Sequence, residues 1–157
     1  MKHISMDSET WGKRAGFDIK SIGACLFDPY NFDKDFSISN SFYKALDNPL
    51  LGTYTTDIYT QFDLDCIGGP NRKYNLERDI ETVKFWNDQS EEAKAAFVNP
   101  IDLKEGLILF SDFILSHSDD IKYGQARDIC LWSHGSAFDP PIIEYAYHVC
   151  RMEVPWF

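Results

Sequence analysis

Apolar positions along the chain keep two different periods. Early on they alternate with polar ones. Ile4 to Glu9 reads as a first strand and Ile19 to Pro29 as a second, with Gly23 allowing close packing. Phe36 to Tyr43 alternates well enough to be a third. Three consecutive strands suggest an antiparallel meander. Between Asn48 and Asn75 the pattern fades into Gly, Pro, Asn, Asp and Thr, which predicts a long excursion over the surface.

The period then becomes helical. Ile80, Val83 and Trp86 repeat at helical spacing with Phe85 beside them. Ser90 is placed to cap "EEAKAAF", whose first turn carries two acids that suit the helix dipole. Asp102 and Glu105 form a capping-box-like pair ahead of a helix whose apolar face holds Leu103, Leu107, Phe110 and Ile114. "DICLWSHG", Asp128 to Gly135, reads as a buried strand. "DPPIIEYAYHVC" follows as a helix, with Pro140 in the first turn, where its missing N–H costs nothing. The order β-β-β, helices, β, helix predicts an α/β domain, a mixed sheet with helices packed on it.

Composition narrows the class. At 157 residues, 44% hydrophobic and 15% aromatic, the chain suits one globular domain. No apolar run approaches the ~20 residues of a membrane span, and Met1 to Ile4 lacks a signal-peptide core. Cys25, Cys66, Cys130 and Cys150 show no paired spacing, which predicts free thiols and a cytoplasmic protein. The net charge of −10 changes the picture most. Proteins that hold nucleic acid by charge alone are usually basic. A polyanionic ligand would need bridging cations or a local basic patch.

The candidate chemistry lies at strand ends. Asp7 and Glu9 stand two residues apart on the first strand and so share a face. Two like charges there repel unless something positive lies between them. Asp139 follows the last strand, and if the two strands are neighbours three carboxylates converge. Mg²⁺ or Mn²⁺ is the natural partner of such oxygens, and a pair of such ions could activate water against a phosphodiester. Each residue also has a plainer reading. Asp7 and Glu9 fit a solvated strand end, and Asp139 ahead of Pro-Pro fits an N-cap. His134 and His148 match no zinc spacing and fit structural roles. Trp86, Trp132 and Tyr145 fit core or interface positions. Trp11, in a turn beside Gly12 where a large ring is harder to bury, is a candidate for stacking on a base. Lys13 and Arg14 fit phosphate contacts or a solvated loop equally well.

Three ordered segments carry a family resemblance. "MDSETWG" with "GFDIKSIGACLFDP" resembles the first exonuclease motif of the DEDD-type (RNase T-like) 3′–5′ exonucleases, with D-x-E on the first strand and I-x-S-I-G-A on the second. "ETVKFWNDQSEEAKAAF" is similar to a T-hydrophobic-x-W-W-x-x-Q-S-x-E-A segment of the branch that includes the phage exonuclease A group and the mycobacterial-type exoribonucleases. "LWSHGSAFDPPIIEYAYHVCRMEVPWF" resembles that branch's second motif and its P-W-x-F tail.

The resemblance implies a ribonuclease H-like fold and a two-metal site using Mg²⁺ or Mn²⁺. In it Asp7 bridges both ions, Glu9 ligates one near the terminal nucleotide, and Asp139 holds the second. It implies single-stranded DNA or RNA 3′ ends as ligand, with the terminal base against Thr10, Trp11 and Gly12. Lys13, Arg14, His134, Ser136 and Phe138 complete the expected nucleic-acid contacts. Two departures stand out. His134 occupies a position commonly Asn. The family's third motif, with its general-base His and fourth acid, lies downstream of P-W-x-F, whereas this sequence stops at Phe157. The single exonuclease-like domain, 1–157, is therefore expected to be incomplete at its C-terminus, with that motif following in a longer chain, lacking in a natural short relative, or supplied by another chain such as a second copy in a homodimer. Two functions follow: a metal-dependent 3′–5′ exonuclease, or a catalytically impaired pseudonuclease that binds nucleic acid or a protein partner.

Overall fold

The computed structural model describes residues 1–30 and 40–157. Its centre is a five-stranded mixed sheet. The strands are β1 (Lys2–Thr10), β2 (Ile19–Phe27), β3 (Ser41–Asp47), β4 (Ile101–Asp102) and β7 (Ile129–Trp132), in the order β4-β3-β2-β1-β7. β1, β2 and β3 pair antiparallel as the expected meander, whereas β7 runs parallel to β1 and β4 parallel to β3. The expected third strand lies partly outside the described residues, and β3 runs four residues past its predicted end at Tyr43. A small hairpin, β5 (Ile121–Lys122) and β6 (Gln125–Ala126), stands apart. Two-residue strands such as these carry no periodicity, so β4, β5 and β6 had no signature in the pattern.

Alternation on β1 separates the two faces. Ile4, Met6, Ser8 and Thr10 are buried, and Asp7 and Glu9 are exposed. Against the inner face pack α4 (Leu103–Ser116) and α5 (Asp139–Val149). Leu103, Leu107, Phe110 and Ile114 of α4 are fully buried, as their spacing predicts, and join Ile4, Met6, Ile142, Ile143 and Tyr147 in one core. At 25 cal/mol per Å² such side chains contribute about 1.5–3 kcal/mol each. Asp102 caps α4 by accepting from Lys104 N at 3.0 Å. Its other contacts are Lys73 Nζ and the Tyr74 hydroxyl, so the cap is not the reciprocal box expected with Glu105.

Three further expectations need correction. β7 is four residues long and only Ile129 of it is buried, so the segment read as a buried strand is a half-exposed one at the sheet edge. The excursion from Asn48 to Asn75 holds a short helix, α1 (Gln61–Cys66), and a buried polar clip. Arg72 donates to the carbonyls of Ile67, Asn48 and Leu64, while the Asn48 amide pairs both ways with the Tyr74 backbone. These bonds satisfy buried carbonyls with charge-assisted donors, which suits a segment without an apolar face. The helices α2 (Ile80–Asn87) and α3 (Glu91–Ala95) form where predicted, capped by Asp79 and Ser90. α2 buries only Val83 completely, leaving Ile80 and Phe85 more than half exposed.

Candidate active site at the end of the central strand

Asp7 and Glu9 leave β1 on its exposed face, opposite Gly23 and Ser21 of β2. Burial among neighbours raises the Asp7 carboxyl above the ordinary range first, and the charge of Asp139 adds to it, while His134 pulls it back. Glu9 is raised by burial, then by Asp7 and Asp139, with Lys20 opposing. Asp7 and Glu9 thus both feel the charge of Asp139, and Glu9 also that of Asp7.

Asp139 reaches this cluster from the far end of the chain. It is the first residue of α5 and is 2% exposed. Phe138 takes the N-cap position without a side-chain bond, so Asp139 is not the cap that its place before Pro-Pro suggested. Instead one oxygen accepts from the Ser8 backbone N at 3.0 Å and from Ser8 Oγ at 2.6 Å. Ser8 points inward between Asp7 and Glu9, so this clip fixes the start of α5 against the end of β1. Oxygen donors of this kind and charge suit a hard divalent cation. The arrangement is not a ready cage: among the described residues no three His, Cys, Asp or Glu side chains are grouped to hold a metal ion. The Ser8 clip explains this, since it commits one oxygen of Asp139 to the inner face.

Beside Glu9 opens a cleft of ≈ 330 Å³ whose walls include Thr10, Gly12, Lys13, Phe85, Trp86 and Phe138. A second, of ≈ 230 Å³, lies over Asp7 and Glu9 against Gly23, Tyr43 and Phe97. A third, of ≈ 300 Å³, takes Arg14 together with Asn75, Glu77 and Tyr145. Of the expected contact residues, Thr10, Gly12, Lys13 and Phe138 thus share the first cleft, and Arg14 stands in the third. His134 and Ser136 are exposed on the loop between β7 and α5 and line none of these three clefts.

Trp11 corrects an expectation. The ring is 7% exposed, with Arg78 Cζ 4.2 Å and Lys20 Nζ 4.4 Å from its centroid. Its backbone is tied on both sides, to Asp18 and to Asp79. Trp11 offers no free face to a base. It was burial by cations, invisible in local sequence, that made room for a large ring in a turn. The buried pair behind it is Asp18 with Arg78, 3.0 Å apart. Burial holds the Asp18 carboxyl up at about 6, against the pull of Arg78. Thr10 is equally structural: its carbonyl accepts from Trp86 Nε1 at 3.0 Å. Gly12 is required sterically, because a Cβ there would fall 2.1 Å from the Phe17 ring. Phe85, 55% exposed, is an aromatic wall that the reading of α2 as packing surface missed. Its place outside the apolar repeat of α2 was the available signal.

Fold and site together define a ribonuclease H-like α/β domain with a carboxylate cluster where its central strand meets a helix start. The family model described as the 3′-5′ exoribonuclease Rv2179c-like domain matches residues 2–157, and the chain belongs to that family. Comparison with individually curated proteins gives no match. Among the described residues no helix is long and apolar enough to cross a membrane.

Proposed function

We propose that this domain is a divalent-metal-dependent exoribonuclease of the DEDD type that removes nucleotides from single-stranded 3′ ends. The observation that carries the reading is Asp7 and Glu9 on one face of β1, with Asp139 clipped to Ser8 between them, beside a cleft that Glu9 shares with Phe85, Trp86 and Phe138. Asp7 and Glu9, with the oxygen of Asp139 left over from Ser8, are the groups that would hold Mg²⁺ or Mn²⁺. Bound there, the metal supplies neutralising charge for the phosphodiester transition state. The protein's own groups orient the strand. Phe85 and Phe138 present exposed rings on which a terminal base can stack without regard to its identity. Lys13 meets a phosphate from the rim of the same cleft.

A 5′-labelled single-stranded oligoribonucleotide with Mn²⁺ tests this. We expect a ladder shortened from the 3′ end, abolished by chelation. Asp7→Ala should reduce the rate about 10²-fold or more, in line with losing one group that stabilises transition-state charge. DNA of the same sequence should be the poorer substrate. Binding without shortening would instead identify a pseudonuclease.

A further inference from the structure

Lys20 has an unusual setting. β2 departs from regular pairing at this residue: Glu9 pairs with Ser21 and Thr10 with Ile19, so the register skips Lys20. Bulges of this kind re-aim a side chain and concentrate beside active sites. The ammonium is directed among three rings, with Nζ 4.2 Å from the centroid of Phe97, 4.4 Å from Trp11 and 5.4 Å from Trp86. An ammonium carries three donors, and rings satisfy charge but not hydrogen bonding. Among the described residues Lys20 is in no ion pair: the pairs formed use Lys2, Lys73, Arg78, Lys84 and Lys94. Nor is Nζ sealed, since the fully buried side-chain polar atom without a partner is Ser133 Oγ. The ammonium is thus caged by rings, partly desolvated and not closed off from an acceptor. Trp86 walls the first cleft and Phe97 the second, with Glu9 on both; Lys20 lines neither itself but touches one ring of each. Its charge also favours the ionised form of Glu9, while Asp65 and Glu9 support the ammonium and burial and the like charge of Arg78 oppose it.

We propose that Lys20 is a phosphate-contact residue, its ammonium taking a non-bridging oxygen of the RNA backbone where the strand passes Glu9. This rests on the exoribonuclease reading and names the group that offsets a substrate phosphate in a chain of net charge −10. The cage serves it by strengthening the ion contact in a low-dielectric setting. A lysine that merely pins the rings together would need no acceptor.

Fluorescence anisotropy of a labelled single-stranded oligoribonucleotide, with Ca²⁺ at fixed concentration and KCl varied, distinguishes the two roles. Lys20→Met should weaken binding about tenfold or more. It should also flatten the plot of log K against log salt by ~0.7, the share of one single-strand phosphate. Lys20→Arg should restore the slope. A methylphosphonate at one linkage near the 3′ end should weaken the wild type and leave Lys20→Met almost indifferent. Thermal melting shows which variants fold. Should Lys20→Met not fold, Lys20→Arg must keep the wild-type slope and the sensitivity at the same linkage; loss of either overturns the proposal. Wild-type slope and affinity in a folded Lys20→Met protein overturn it while leaving the exoribonuclease reading intact. Failure of the wild type to bind RNA at all overturns both.

Discussion

Asp7 sets its proposed metal-holding role against stability. Its carboxyl is raised in the folded protein by burial and by Asp139. A raised acid contributes stability that is fully present below its unfolded pKa and is lost as pH rises through the folded value. At neutral pH the metal-free protein therefore carries the cost of an ionised Asp7. Asp7→Asn should raise the melting temperature at pH 7 with a chelator present, the gain in unfolding free energy being up to about 1 kcal/mol given how exposed the group is. The gain should close below about pH 4. An Asn variant that melts lower than the wild type at pH 7 would contradict this account of the site. Such gains at the expense of activity are expected where a site concentrates like charge.

At the level of the element, α2 links stability to the cleft. Asp79 caps it by accepting from Thr82 N at 2.9 Å and Thr82 Oγ1 at 2.7 Å. Those bonds hold the Asp79 carboxyl below its ordinary value. The sign is opposite to that of Asp7: the cap's contribution is present above the unfolded pKa and is lost as pH falls through the depressed folded one. Asp79→Ala should cost about 0.5–2 kcal/mol at pH 7 in a denaturant titration. The deficit should shrink below about pH 4. Asp79 also lines the first cleft, and α2 carries Phe85 and Trp86 into it, so single-strand affinity should fall with the cap. Unchanged affinity in a destabilised Asp79→Ala protein would show that the cleft does not take the strand.

Over the whole molecule, the site joins distant parts of the chain. Ser8 and Asp139 meet across 131 positions, and β7 pairs with β1 beside them. A ligand gripping Asp7, Glu9 and Asp139 would tie β1 to α5 in the native state alone. Mn²⁺ at a hundredfold excess over its Kd should stabilise the wild type by about 2.7 kcal/mol, which is about 5–10 °C in melting temperature. The double variant Asp7→Asn, Glu9→Gln should show no such rise. Parallel shifts in both proteins would place the ion elsewhere.

Much of this architecture was legible in the chain itself. Alternation specified β1 and β2, and put Asp7 and Glu9 on one face, because a strand's period of two leaves no other choice. Helical spacing specified the buried face of α4 for the same kind of reason. What local pattern could not carry was anything determined by partners far away in sequence. Asp139 looked like a cap and is a clip on Ser8, because the parallel pairing of β7 with β1 brings the start of α5 to that backbone N–H. Trp11 looked like a surface ring and is buried, because Arg78 and Lys20 cover it with charge. The stretch from Asn48 to Asn75 read as a long excursion over the surface, and what its pattern did not show is the clip by Arg72, a polar solution that leaves no hydrophobic period. Lys20 is re-aimed by a skipped pairing between two strands, which exists only once both are in place. Periodicity reports which side of an element faces the core; only the assembled sheet decides which charges meet across it.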